Sequence, residues 1–342
     1  MNNKLINFKK RIPLILFLAL IVFFSLSGIK ADLNSSKNKE DINPNWKTIR
    51  PPHEVSKIII YKDYLYAGGQ EGVYKIDLST GNIIEKLNPT EKMEYVRAMA
   101  IDSKGVLWIG HDNGITLYDG ENYKTIKKSD GLPDDRVNAL LKDSKDRMWV
   151  GTWDGTAVFD NDKCNIMTEK DGLINNMVNV ILEDKDNVMW FGSYVAPRGG
   201  ISYYKDNKWQ YFNVDNGLAH NNITSILQDS NGSIWVGNGL YEEGGLSEFT
   251  LKDGNYIIKN KYSKKDKLAG VKVRSLYEDA ENNLWIGSEY DGVAIWNKDN
   301  KKIITTEDGL CNLEVKSVLE DQNGVTWIAT RDGITRINKG EV

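Results

Sequence analysis

From residue 46 onward the chain is written in short apolar runs separated by polar turns. One unit shows the pattern. Val137 to Lys142, "VNALLK", is followed by the polar stretch Asp143 to Asp146. Met148 to Gly151 comes next, then a turn at Trp153-Asp154-Gly155. Thr156 to Phe159 and, after a second turn, Cys164 to Thr168 complete the unit. Runs this short, without apolar spacing of three and four, predict strands rather than helices. Asn113-Gly114, Asp154-Gly155, Asp291-Gly292 and Asp332-Gly333 sit where tight hairpins are expected, because glycine accepts positive φ.

The unit recurs. Its anchor is an aromatic, an apolar and a small residue: Trp108-Ile109-Gly110, Trp149-Val150-Gly151, Trp190-Phe191-Gly192, Trp235-Val236-Gly237, Trp285-Ile286-Gly287 and Trp327-Ile328-Ala329. Tyr66-Ala67-Gly68 is a weaker copy, and successive spacings are 42, 41, 41, 45, 50 and 42. Four strands in a period in the low forties predict a propeller blade. The chain is therefore expected to be all-β: a seven-bladed β-propeller of four-stranded antiparallel blades over residues 46–342. The anchor tryptophans are expected to pack between blades. After Trp327 only Ile334 to Ile337 reads as a strand, and Trp46 to Ile49, "WKTI", belongs to no blade of its own. Trp46–Ile49 is expected to complete the last blade and cover its open edge.

The N-terminus changes the picture. Lys4, Lys9, Lys10 and Arg11 precede the uninterrupted apolar run Ile12 to Ile29. This is the layout of a secretion signal, with Ala31 as the residue before cleavage. The run is also nearly long enough to span a bilayer. Residues 1–31 are thus expected to be a signal peptide or a membrane anchor, and residues 32–45 a flexible tether. Either way the body is exported, so the protein is expected to be extracytoplasmic, anchored or secreted, touching the membrane only through residues 12–29. Residues 1–31 hold five Lys/Arg and no acid, leaving 39 basic against 48 acidic residues in the remainder, net −9. An acidic body excludes a nucleic-acid partner. Cys164 and Cys311 are too few for a disulfide framework.

Positions that vary while their neighbours stay fixed are free to specialise. The loops between second and third strands are rich: "HDNG" with His111, "TWDG" with Trp153, "SYVAPRGG" with Tyr194 and Arg198, "NGLYEEGG" with Tyr241, "SEYDG" with Tyr290 and "TRDG" with Arg331. Rings beside polar groups suit a carbohydrate or other small polar ligand. His220 lies in a blade-to-blade loop. Just inside six of the inner strands stand Arg97, Asn138, Asn179, Thr224, Arg274 and Lys316. This polar, partly basic ring suits a carboxylate or sulfate, or else hydrogen bonds between blades. The expected ligand residues are Arg97, His111, Trp153, Tyr194, Arg198, His220, Tyr241, Arg274, Tyr290, Lys316 and Arg331.

No zinc spacing, no G-x-S-x-G elbow and no assignable acid–base pair is present. The repeated "DSKG", "DKDN" and "DSNG" turns lack the closing Glu of a calcium loop and read as hairpin turns. No catalytic residue, metal or cofactor is therefore expected.

The wording "DGL", then an inner strand, then "D-x-x-G-x-x-W-I-G-T-x-x-G-I", resembles the two-component regulator propeller repeat from residue 46 on. That resemblance implies an extracytoplasmic ligand-sensing domain of a bacterial sensor. In large members a membrane span and a histidine kinase follow the propellers. None stands in this sequence, so the chain is expected to be the sensor part, relaying through a membrane sensor or other envelope protein. The alternatives are a protein–protein scaffold of the cell envelope and a propeller lyase or hydrolase.

Overall fold

The structure is a computed structural model that describes residue 43 and residues 45–342, apart from 162 and 196. The expected signal or anchor and most of the tether lie outside the described residues. Among the described residues no helix is long and apolar enough to cross a membrane.

Seven four-stranded antiparallel sheets form seven blades. Their inner strands are Lys57–Tyr61, Ala98–Ile101, Val137–Lys142, Val178–Glu183, Ile223–Gln228, Val273–Glu278 and Val315–Glu320. Each inner strand lies beside those of the two neighbouring blades, and the first lies beside the last. The ring is closed. Blade 3 has the expected strands: Val137–Lys142, Met148–Thr152, Gly155–Asp160 and Lys163–Met167. Blade 7 takes its outer strand from Trp46–Ile49, with Trp46 opposite Ile337 and Ile49 opposite Ile334.

The core lies between blades. Trp190, Ile201 and Tyr203 of blade 4 pack with Ile223, Val236 and Phe249 of blade 5 in one buried cluster. The anchor glycines permit that approach: a Cβ on Gly110 would stand 2.5 Å from Val137 Cγ1 of the next blade.

The anchor tryptophans have a polar task as well. In six blades the indole Nε1 donates to the carboxylate six residues earlier: Trp108 to Asp102, Trp149 to Asp143, Trp190 to Asp184, Trp235 to Asp229, Trp285 to Asp279 and Trp327 to Asp321, at 2.8–3.1 Å. The other carboxylate oxygen caps the turn. Asp143 Oδ1 accepts from the backbone N–H of Lys145 and Arg147 at 3.0 and 2.8 Å. The acidic turns are hairpin locks.

The "DGL" junctions are also built for packing. Asp171 Oδ2 accepts from the Thr168 backbone N–H at 2.9 Å, Gly172 takes φ +120°, and Leu173 is buried. Only a residue at ease with positive φ turns the chain there.

Asp143 makes a pH prediction. Burial acts to raise its pKa, but hydrogen bonds from the Trp149 indole and the Arg147 backbone and guanidinium outweigh this and hold it below the ordinary value. A depressed folded-state pKa gives stability that is complete above the unfolded value, about 3.9, and lost as pH falls through the folded one. Denaturant midpoints should fall from pH 5 to pH 3, and less steeply in Asp143→Asn. Parallel curves would refute the assignment.

Candidate functional site

In blades 3 to 7 the register of the inner strand slips at one residue: Asn138, Asn179, Thr224, Arg274 and Lys316. A bulged residue leaves the ladder and its side chain is re-aimed. These five and Arg97 of blade 2 line one cavity of about 980 Å³ within the ring of inner strands. The expected polar ring therefore exists as a ring.

Its members divide into two kinds. Asn138 Nδ2 donates to the Val178 carbonyl at 3.5 Å, and Asn179 Nδ2 to the Ile223 carbonyl at 3.0 Å. The Thr224 hydroxyl donates to the Val273 carbonyl. These three tie each blade to the next. The cations face carboxylates instead. Arg97 pairs with Asp112 and Lys316 with Glu54 and Glu314. Arg274 Nε and Lys272 Nζ approach Glu289 Oε2 at 3.1 and 2.9 Å. Both approaches lie off the hydrogen-bond axes, so charge attraction holds them.

The electrostatics follow. Burial acts to raise the Glu289 carboxyl, but the Arg274 charge and the contact with Lys272 outweigh it and hold the pKa low. Glu54 is likewise low: burial opposes, and the Lys316 ammonium beside it wins. The cavity lining counts five cations (Lys57, Arg97, Arg274, Lys316, Arg331) against three carboxylates (Glu54, Glu289, Glu314). The cavity is positive within an acidic protein.

Five of the eleven residues expected at the site line this cavity: Arg97, Arg274, Tyr290, Lys316 and Arg331. Tyr290 donates to Glu289 Oε1 at 3.0 Å, and Arg331 stands 3.8 Å from Glu314. Trp153 sits one contact away and Tyr194 two, through Lys272 and Glu289. The Trp153 indole, 38% exposed, donates to Asn138 Oδ1 at 3.2 Å under the Arg136 guanidinium. Tyr194 lies 5.6 Å from Lys272 Nζ and bridges to Asn222.

Four stand apart. His111 corrects the expectation of an exposed rim ligand. It is 1% exposed, its Nε2 is 2.9 Å from Thr116 Oγ1, and burial pulls its pKa down to about 4. His220 accepts at Nδ1 from the Asn222 backbone at 3.0 Å, and burial lowers its pKa. Arg198 is exposed outside the cavity lining. Tyr241 is 72% exposed at the tip of a hairpin. The stretch "NGLYEEGG" is strand rather than loop: Asn238 pairs with Gly245 and Leu240 with Glu243, and only Tyr241-Glu242 turns. Among the described residues no group of three His, Cys, Asp or Glu converges as metal ligands.

The reading of the sequence missed Glu54, Glu289, Glu314 and Lys57. Glu289 and Glu314 stand in rim loops whose neighbours it had noted. Lys57 lies in blade 1, whose Tyr66 anchor hides the alignment of its inner strand with the small residues of the others.

Residues 131–154, 172–195, 217–239 and 267–290 each run from a blade junction through the inner strand to the second strand, and match the family described as two component regulator propeller. Four segments of the chain, one in each of blades 3 to 6, match this repeat family. These repeats thus contain the cavity-lining bulges of blades 3 to 6. No curated protein matches the sequence significantly. Among solved structures, the chain is similar to the extracellular domain of a candidate hybrid two component system from B. thetaiotaomicron. The TM-score is 0.73 and the identity 22%, over 86% of this chain and 41% of that one. A candidate one component system of the same organism gives 0.70 and 20%, over 85% and 39%. The chain thus spans about two-fifths of the length of either. Virginiamycin B lyase from Staphylococcus aureus gives 0.63 and 15%, over 85% and 97%. At these identities the likeness is one of fold.

Proposed function

We propose that this propeller is an extracytoplasmic recognition module that takes a small polar ligand, carbohydrate foremost, at the mouth of its channel, and passes the signal on through a partner in the envelope. One observation carries the reading. Four residue types (Arg, Asn, Thr and Lys) occupy the five bulges and the matching Arg97, although their neighbours repeat, and all six residues line one cavity. A purely structural ring has no need of such variety. Tyr95, Tyr290 and Trp153 offer partly exposed rings at or beside that cavity, next to charged groups that orient hydroxyls or acids. The extracytoplasmic placement is supported by the basic and apolar N-terminus and by the extracellular domains among the structural neighbours. The extracellular domains of two component systems among those neighbours favour a sensor over an enzyme.

The test is thermal stabilisation. A ligand that binds only the folded state raises the melting midpoint with concentration. A panel of oligosaccharides, sugar acids, amino acids and peptides should yield a stabilising compound. Arg274→Ala should weaken it roughly tenfold or more, the scale of one lost charged hydrogen bond. An empty panel, with an envelope protein captured instead, would turn the reading to a scaffold.

A further inference from the structure

One residue below the mouth, the seven inner strands present another ring. Each member pairs with the small residue of the anchor triplet: Lys57 with Gly68, Ser225 with Gly237 and Ser317 with Ala329, for example. Blades 2 to 4 place Ala98, Ala139 and Val180 there, and blades 5 to 7 place serines. All seven line the cavity. Small residues keep this throat open on six sides. Blade 1 breaks the pattern with the longest side chain of the ring and its one charge.

Lys57 differs from every cation of the mouth. Arg97, Arg274 and Lys316 all face carboxylates. Among the described residues Lys57 has neither an ion pair nor a side-chain hydrogen bond. Its remaining exposure is to the lumen, and protein surrounds it closely enough that desolvation pulls its pKa below the ordinary lysine value. Ser225 of blade 5 is 8% exposed and its Oγ is buried against Gly237 rather than open to the throat, and Ser275 Oγ reaches the Val315 carbonyl at 3.3 Å. The floor beyond is apolar, with Ile59, Leu141 and Leu319. A desolvated ammonium without a counter-ion therefore stands in a throat that opens to the mouth. It is costly alone, and an acceptor that carries a negative charge satisfies it.

We propose that Lys57 forms a carboxylate site in the throat of the channel, so that the ligand of the mouth is an organic acid with its carboxylate directed inward. This rests on the mouth being the ligand site. A carboxylate fits better than a phosphate. The throat offers one ammonium, and the guanidiniums that would hold a dianion stand at the mouth beside Asp112, Glu289 and Glu314.

The test uses the full chain with D-glucuronate, acetate, D-glucose and sulfate as probes, at matched ionic strength. The melting midpoint should rise with glucuronate and acetate. Glucose and sulfate should act at least tenfold more weakly. Lys57→Met keeps the length and removes the charge. It should melt at or above the parent, because an unpaired, desolvated charge is gone, and should lose the carboxylate response. An equal response of parent and Lys57→Met, including none in either, overturns the site. So does a sulfate response equal to that of acetate, or a much lower melting point in Lys57→Met. A neutral sugar that stabilises both proteins alike keeps the mouth reading and removes the throat. A carboxylate response that dies with Lys57→Met but is untouched by Arg274→Ala keeps the throat and removes the mouth.

Discussion

Replacing Asp184 by Ala should cost the fold about 3–5 kcal/mol, although the residue touches no ligand surface. Asp184 is 4% exposed. Its Oδ1 accepts from the backbone N–H of Asp186 and Val188, both at 2.9 Å, and its Oδ2 from the Trp190 indole at 2.9 Å and from the Tyr256 hydroxyl. Four donors lose their acceptor together, and a buried donor left unpaired costs about 1–3 kcal/mol. Partial re-pairing with water brings the sum down to the range stated. The loss spreads because of where Trp190 sits. Its ring stacks on Tyr203 at 4.5 Å and meets Tyr256 edge-on at 4.6 Å and Phe249 at 6.0 Å, across blades 4 and 5. The melting temperature should drop by roughly 10 °C. Asp160→Ala, on an exposed outer turn, should change it little. If the two variants melt together, the aspartate–indole lock is decoration.

That lock explains why the fold was legible. The words that recur, the aspartate, the tryptophan six residues on and the glycine after it, are each held by a local or next-blade contact repeated round the ring. A pattern of this kind survives in one dimension. So does closure, because "WKTI" at Trp46 echoes the outer strand "YKTI" at Tyr123. The site was legible as far as it follows the same register. Arg97, Arg274 and Lys316 could be lined up by counting from the inner-strand valine. The carboxylates that neutralise them could not, because Glu54 meets Lys316 across the closure of the ring, 262 residues away. Lys57 was hidden by its blade. Blade 1 has tyrosine in place of the anchor tryptophan, so its inner strand was never set against the others. The hairpin at Leu240–Glu243 was misread because Gly239, Gly244 and Gly245 look like loop, yet all three pair within it or beside it. His111 was misread for the opposite reason: a polar residue in a loop "HDNG" turned back onto Thr116 of its own hairpin.

The closing strand carries the second large prediction. Trp46 and Ile49 are both 4% exposed, and they point into different cores. Trp46 packs with Trp285, Val293, Leu310 and Ile337, between blades 6 and 7. Ile49 packs with Val55, Leu78 and Ile334, between blades 7 and 1. One four-residue strand thus fastens blade 7 to both neighbours. Trp→Ala in a core costs about 3–5 kcal/mol and Ile→Ala about 2–5. The two sites share no cluster, so the losses should nearly add. Trp46→Ala with Ile49→Ala should remove about 5–9 kcal/mol, comparable to the whole stability of an ordinary domain. The strand then detaches and leaves Gly333–Ile337 as a bare edge, which invites pairing with a second molecule. Limited proteolysis should cut first between residues 43 and 56, and size-exclusion chromatography should show concentration-dependent dimers absent from the parent. The channel mouth reports the same event, because Lys316 of blade 7 holds Glu54 of the segment leading into blade 1. Ligand stabilisation at the mouth should therefore disappear in the double variant at temperatures where the remaining blades are still folded. A ring that keeps its proteolytic pattern, its monomeric state and its ligand response after both substitutions is closed by something other than this strand.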